Sequence, residues 1–296
     1  MILPYEMNPP QNPVLKHAKQ HFGEEIKALA ALHGSKTAER VIEAFKTISR
    51  EAFAGPGPWS IMSPLRTGLF QKTSNADPAH LYHCVLISLD QQAGINIGEP
   101  SMWAGNFAAL EISQGARILQ VGGGSGYYSA ILAHLAGASG SVIAFEVDAS
   151  VAKIGSDAVA LIDNLDFRIG DAAIDLQASD GPFDFIVGFA GVTHPVKIWL
   201  DRLSENGAML LPVTGSDGWG AMCIFRRVSE RKLACQTIVA CGFYRCQNAR
   251  DENLQSSLDV IWSDRARLTG WQFQMSYDES GFQFEADGQI LKAPFL

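Results

Sequence analysis

Residues 116–146 have the sequence ARILQVGGGSGYYSAILAHLAGASGSVIAFE, whose apolar runs and glycines indicate the fold class. An apolar run before the glycines is typical of a buried parallel strand, and helix-forming residues follow over Tyr128–Leu135. Further glycines end that helix, and Val142–Phe145 predict a second strand that closes on Glu146. The stretch therefore predicts a strand, a glycine-rich turn, a helix and a strand, ending on a carboxylate.

The glycine-rich turn indicates a site for a nucleoside-bearing ligand. Glycines between a strand and a helix let a ligand approach the main chain, and the N–H groups at the helix start face that ligand. A carboxylate at the tip of the next strand suits the two hydroxyls of a ribose. Glycines at such a position can also serve the turn alone, but the complete strand–turn–helix–strand–acid unit favours a binding site.

The glycine spacing selects the kind of cofactor. The dinucleotide fingerprint needs a glycine or alanine three positions after its second glycine, and the frames from Gly122 and Gly124 end on tyrosine and serine instead. A phosphate-binding loop needs Gly-Lys-Ser/Thr, which this turn lacks. The pattern that fits is Gly122-x-Gly124-x-Gly126. In it the chain resembles the class I S-adenosylmethionine-dependent methyltransferases, which usually carry an acidic residue where this chain has Gln120.

Composition narrows the class of protein further. The chain has 296 residues, 47% of them hydrophobic, enough for one large domain with additions or for two modest ones. A net charge of −8 without a long basic run predicts neither a nucleic-acid nor a membrane partner. No signal pattern, bilayer-spanning stretch or metal-ligand spacing of the five cysteines stands out. We therefore expect a cytoplasmic protein without a bound metal.

Motifs in a fixed order carry a closer resemblance. They are Arg40–Phe53 (RVIEAFKTISREAF), Gly94–Ala104 (GINIGEPSMWA), Leu119–Gly126, Gly170-Asp171, Phe183–Val187 and Asn206–Val213 (NGAMLLPV). In this order they resemble the protein-L-isoaspartate O-methyltransferase family over about residues 38–245. The resemblance implies an α/β fold with a Rossmann-like, doubly wound, mostly parallel sheet that has helices on both faces. It also implies S-adenosylmethionine as the cofactor.

Three segments are predicted on this basis. Residues 1–90 form an N-terminal helical segment packing over the active site, 91–249 the S-adenosylmethionine-binding domain and 250–296 a C-terminal extension. Within the extension, apolar and polar residues alternate over Trp271–Met275 and Phe282–Glu285 on either side of a turn, which predicts a hairpin.

The residues expected to bind the cofactor follow the family's order along the chain. Glu146 is predicted to bind the ribose and Asp171 the adenine amino group, the alternative for Asp171 being a cap on the next helix. The full predicted set is Gly98, Gln120, Gly122, Gly124, Gly126, Glu146, Asp171 and Ala172.

The acceptor signature departs from the family's pattern. Where the family has glycine-glutamine-threonine-isoleucine-serine-x-proline, this chain has Gly94–Pro100, and the serine falls on Gly98. We expect this change to remove a hydrogen-bond donor from the acceptor site and to open space there. Glu99 would repel a substrate carboxylate. We place Asn96, Glu99 and His194 at the acceptor, although His194 is equally well interpreted as a turn residue.

The sequence thus predicts a methyltransferase that acts on an oxygen of a peptide or small-molecule acceptor and is divergent from isoaspartyl repair. Two alternatives stay open. One is a non-catalytic S-adenosylmethionine-binding module, which the missing serine and Gln120 suggest. The other is a nucleotide-dependent oxidoreductase, which the glycine spacing disfavours.

Overall fold

The computed structural model describes residues 13–30, 35–62, 68–92 and 94–295. The helices of this part are α1 (Pro13–Leu29), α2 (Ala38–Thr47), α3 (Pro100–Leu110), α4 (Tyr127–Ala136), α5 (Ala149–Val159), α6 (Lys197–Arg202) and α7 (Glu252–Ser263). Its strands are β1 (Ser60–Met62), β2 (Phe70–Lys72), β3 (Ile87–Asp90), β4 (Ile95–Ile97), β5 (Arg117–Val121), β6 (Ser141–Glu146), β7 (Leu165–Ile169), β8 (Phe183–Gly188), β9 (Leu203–Thr214), β10 (Trp219–Ser229), β11 (Lys232–Gly242), β12 (Gln272–Tyr277), β13 (Gly281–Ala286) and β14 (Gln289–Pro294).

The chain divides into two compact units. The first consists of residues 1–115 and 123–169, and the second of residues 116–122 and 170–296. In the first unit, helices α1–α4 pack on one another around a cluster of buried aromatic rings, which are Phe22, Phe45, Trp103, Phe107, Tyr127 and Tyr128. Large apolar rings in a shared core supply most of the free energy that holds such short helices together.

Arg50, the second arginine of the motif Arg40–Phe53, is buried and hydrogen-bonded within the first unit. Its guanidinium is fully buried and donates to the carbonyl oxygens of Leu81 and, at 2.8 Å, His83. The same group lies 5.5 Å from the ring centroid of Tyr127. These hydrogen bonds offset part of the cost of burying the charge, and they join the turn after α2 to the segment that contains Leu81 and His83.

Four short strands of the first unit form a separate antiparallel sheet in the order β2-β1-β3-β4. They were not predicted from the sequence. Each has only three or four residues, too few for an alternating pattern to stand out. The first unit also contains β6 and β7, which pair in parallel. The boundaries drawn after residues 90 and 249 stay predictions.

The second unit is a sheet in which parallel pairing gives way to antiparallel pairing. Strands β5, β8 and β9 pair in parallel, and each strand from β9 to β14 pairs antiparallel with the next. Parallel strands that alternate with α4, α5 and α6 along the chain confirm the predicted Rossmann-like α/β class.

The C-terminal extension continues the sheet of the second unit. The predicted hairpin is confirmed as β12 and β13, and β12 pairs with β11. The third strand, β14, was not predicted. Its side chains are exposed or half-buried throughout, so its sequence has no apolar alternation by which it could have been recognised.

Candidate active site

The turn after β5 is built from glycines in left-handed conformations. Gly122, Gly124 and Gly126 have φ angles of 89°, 56° and 86°, which other residues rarely adopt. A Cβ atom built on Gly124 would meet no described atom within 4 Å. The space beside the main chain is therefore open at the position where the sequence predicts a ligand.

A glycine on helix α5 lets that helix approach the turn. A Cβ atom on Gly155 would lie 2.6 Å from Phe167 Cζ and 2.8 Å from the carbonyl oxygen of Gly124. A Cβ atom on Gly123 would lie equally close to the Phe167 ring. Gly155 and Phe167 were not predicted as site residues. The signal in the sequence was a glycine inside an eleven-residue helix. Such a glycine lowers helix stability, and it usually has a packing reason.

Glu146 closes β6, and main-chain N–H groups hold its carboxylate. Gly124 N donates to Oε2 at 2.7 Å, and Asp148 N donates to Oε1 at 3.0 Å. Each carboxylate oxygen has a second lone pair. The group can therefore accept two further hydrogen bonds from a ligand in the open space beside Gly124.

Two buried side chains next to the turn have unsatisfied oxygen atoms. Gln120 Nε2 donates to the carbonyl oxygen of Gly122 at 3.2 Å, but Gln120 Oε1 has no hydrogen-bond partner within the described residues, and neither has Ser125 Oγ. Both side chains are at most 3% exposed. Because unpaired buried polar atoms are costly, Gln120 Oε1 fits a ligand that carries a hydrogen-bond donor.

Asp171 follows β7, and both oxygens of its carboxylate accept hydrogen bonds. Ala173 N donates to Oδ1 at 2.8 Å, and Asn248 Nδ2 donates to Oδ2 at 2.9 Å. The neighbouring Ala172 is buried, and its carbonyl oxygen accepts from the Trp199 indole at 3.0 Å. Asp171 thus closes a turn and does not cap a helix, because the next helix, α6, begins only at Lys197, and its carboxylate still has lone pairs for a ligand. The contact with Asn248, 77 residues away, was not predicted.

Two of the predicted acceptor residues bond to their own neighbours. Asn96 Nδ2 donates to the carbonyl oxygen of Gly94 at 3.0 Å. Glu99 is the N-cap of α3 and accepts from Ser101 N at 3.0 Å and from Met102 N at 2.8 Å. A carboxylate at this position is stabilised by the helix dipole. The proline that follows Glu99 was the sequence signal for this cap.

The space at Gly98 is filled, so the expectation that loss of the serine opens it is wrong. A Cβ atom on Gly98 would lie 2.6 Å from Trp103 Nε1 and 3.1 Å from Trp103 Cδ1. Optimal separations between non-bonded atoms are about 3.5 Å or more. The buried indole of Trp103 therefore occupies the position where a side chain at residue 98 would begin.

His194 is buried among residues of the second unit. Its ring stacks on Phe282 with centroids 4.4 Å apart and an interplanar angle of 16°. His194 Nδ1 lies 2.8 Å from Thr193 Oγ1, which itself accepts from Asp251 N at 2.9 Å. Burial lowers the pKa of His194 from 6.5 to about 4, although Asp251 opposes this shift. The imidazole is therefore neutral at pH 7.

Within the described part of the chain, no helix is both long and apolar enough to cross a bilayer, and the His, Cys, Asp and Glu residues form no group of three or more that could hold a metal ion. The described cysteines form no disulfide. Burial raises the pKa of the Cys223, Cys235 and Cys241 thiols, which therefore stay protonated and serve packing.

A glycine-rich turn whose N–H group binds the carboxylate at the end of the next strand is an arrangement of the class I S-adenosylmethionine-dependent methyltransferases. Within this class, the family model "Protein-L-isoaspartate(D-aspartate) O-methyltransferase" matches residues 24–249. The chain belongs to this family, and the class binds S-adenosylmethionine as its cofactor.

Individual relatives agree with this assignment. A protein-L-isoaspartate O-methyltransferase from Yersinia enterocolitica is 34% identical over 151 residues, covering 51% of this chain and 70% of that protein. Alignments with other relatives span as little as 41% of their length. A solved protein-L-isoaspartate O-methyltransferase superposes with a TM-score of 0.63 at 18% identity, covering 93% of this chain and 87% of that one.

A second solved structure comes from Plasmodium falciparum and holds S-adenosyl-L-homocysteine. It has a TM-score of 0.55 at 16% identity and covers 80% of this chain and 99% of that one. At these identities the two solved structures show the fold alone.

Proposed function

We propose that this protein transfers the methyl group of S-adenosylmethionine to an oxygen atom of a peptide or small-molecule acceptor other than a plain isoaspartyl peptide. Position 98 carries the proposal, because the family's serine is replaced by Gly98 and the Trp103 indole fills the adjoining space. A hydroxyl that would donate to an anionic acceptor is therefore missing. Such a hydrogen bond to a charged group is worth about 1.5–3 kcal/mol.

Bound S-adenosylmethionine supplies an electrophilic methyl group on a positively charged sulfur atom. We assign its ribose to Glu146, whose two oxygens are fixed by main-chain donors and keep lone pairs for two hydroxyls. We assign its adenine to Asp171 and Ala172, and its amino-acid portion to Gln120. The unpaired Gln120 Oε1 can accept from an ammonium group as a neutral substitute for an acidic residue.

On the acceptor side, the chain's task is to align the attacking oxygen and to exclude water. We place Asn96 and Glu99 there, and the charge of Glu99 disfavours a second carboxylate beside it. A hydroxyl acceptor benefits from a general base, whereas a carboxylate needs none. His194 is a weak base because its pKa is lowered to about 4. We therefore assign it to packing of the turn after β8 rather than to proton transfer.

Calorimetry with S-adenosylhomocysteine tests the cofactor assignment. We expect wild type to bind in the micromolar range and Glu146→Ala to lose about 2–4 kcal/mol, because two hydrogen bonds to a charged group disappear. Asp157→Ala is the matched control, since it also removes one carboxylate of the first unit but its side chain is 70% exposed. Its affinity should equal that of wild type.

Each other outcome has a definite meaning. Unchanged affinity in Glu146→Ala would show that another carboxylate holds the ribose. Absence of binding by wild type would contradict the methyltransferase proposal as a whole. Binding without methyl transfer to any acceptor would favour the alternative of a non-catalytic module.

A further inference from the structure

Gly98 and Trp103 form a pair in which a side chain at one position excludes the side chain at the other. The backbone at Gly98 is not left-handed, so its conformation would accept any L-residue. Space is what requires glycine, because a Cβ atom there would lie 2.6 Å from Trp103 Nε1. The glycine at position 98 is therefore explained by the tryptophan five residues later.

The Trp103 indole has little freedom to move aside. It is fully buried, and its ring centroid lies 5.6 Å from that of Phe107 and 5.4 Å from that of Tyr128. Tyr128 Oη donates to the carbonyl oxygen of Gly98 at 2.7 Å, and this hydrogen bond holds the Gly98 main chain in place. Glu99 caps α3 one turn before Trp103. Packing fixes the indole from one side, and the cap fixes its helix.

We infer that Trp103 is a positioning residue that sets acceptor specificity. By filling the side-chain space of position 98, it excludes the hydroxyl that the family's serine would offer to a substrate carboxylate. An acceptor with an uncharged oxygen loses least from this exchange, because hydrogen bonds to charged groups are the stronger ones. The inference rests on the proposed function. It requires positions 98 and 103 to change together, so that Gly98→Ser alone cannot restore the hydroxyl.

Four proteins test this: wild type, Gly98→Ser, Trp103→Leu and the double variant. In the wild-type background the serine overlaps the indole, and we expect Gly98→Ser to lower Tm by about 3–8 °C. In the Trp103→Leu background the same serine should lower Tm by less than about 2 °C. The double variant should methylate an isoaspartyl peptide at least about tenfold faster, in kcat/KM, than either single variant, chiefly through a lower KM.

Phe107→Leu combined with Gly98→Ser is the matched control. It removes a ring from the same cluster without clearing the space at residue 98, and it should give no gain in methyl transfer. Equal costs of the serine in both backgrounds would overturn the inference, as would a double variant that binds S-adenosylhomocysteine like wild type without any gain. Failure of wild type to bind S-adenosylhomocysteine would contradict the proposed function instead. The Tm measurements need no methyl acceptor, so they test the steric exclusion between residues 98 and 103 independently of the proposed function.

Discussion

At the scale of single residues, the buried imidazole of His194 links stability to pH. The side chain is 1% exposed and stacks on Phe282 of strand β13. Thr193 Oγ1 accepts from Asp251 N and lies 2.8 Å from His194 Nδ1, so the hydroxyl proton is available for that nitrogen. This bonding favours the neutral ring and connects the turn after β8 to the residues of the C-terminal extension.

We expect the free energy of unfolding to fall as the pH is lowered from about 6.5 towards 4. Between these pH values the unfolded chain binds a proton on His194 but the folded protein does not, so acid favours unfolding. The stability that the neutral imidazole contributes is fully present only above pH 6.5. The shift corresponds to about 3 kcal/mol. Urea unfolding at several pH values should show that His194→Gln removes this dependence. His83→Gln, at a side chain that is 62% exposed, is the control and should retain it.

Stability curves of wild type and His194→Gln that run parallel between pH 4 and 7.5 would contradict this account. They would mean that His194 is protonated in the folded protein as readily as in the unfolded chain.

At the scale of elements, the close approach of α5 to the glycine-rich turn shapes the site. The approach depends on Gly155, because any Cβ atom there meets the carbonyl oxygen of Gly124 and the Phe167 ring. Gly124 N in turn binds Glu146. A displacement of α5 would therefore reach the carboxylate that we assign to the ribose.

We expect Gly155→Ala to destabilise the protein by about 1–3 kcal/mol through overpacking and to weaken binding of S-adenosylhomocysteine. The sign of the change in the free energy of unfolding distinguishes overpacking from helix propensity, because alanine in place of a helical glycine ordinarily stabilises by about 0.5–1 kcal/mol. Gly242→Ala is the control, because the nearest atom to its Cβ would be at 3.7 Å. Thermal unfolding and calorimetry measure both effects. A Gly155→Ala protein as stable as wild type, with the same affinity, would rule out this role for α5.

At the scale of the whole molecule, the sequence could predict those parts whose signals are local. The order β5, glycine-rich turn, α4, β6 and Glu146 lies within 31 consecutive residues and was predicted with its cofactor class. The hairpin of β12 and β13 was recognised from its alternation. Strands β1–β4 could not be predicted because they are too short to show a periodic pattern. Strand β14 could not be predicted because neither of its faces is buried.

The contacts that could not be predicted are those between side chains that only the folded structure brings together. Nothing in the sequence shows that Asn248 donates to Asp171 or that the Trp103 indole lies against Gly98. The loss of the serine was visible in the sequence, but whether it left space depended on packing. That difference changes the interpretation of position 98 from an opened space to a filled one.

Methyl transfer to an isoaspartyl peptide distinguishes a divergent acceptor site in this protein from one that retains isoaspartyl repair. Labelled S-adenosylmethionine would be supplied to wild type and, in parallel, to the relative from Yersinia enterocolitica, with binding of S-adenosylhomocysteine measured on the same preparations. We predict that this protein binds the cofactor product but methylates the peptide about 10- to 100-fold more slowly, as expected for one missing hydrogen bond to a charged acceptor in the transition state. Turnover of the isoaspartyl peptide at the rate of the Yersinia protein would contradict the account.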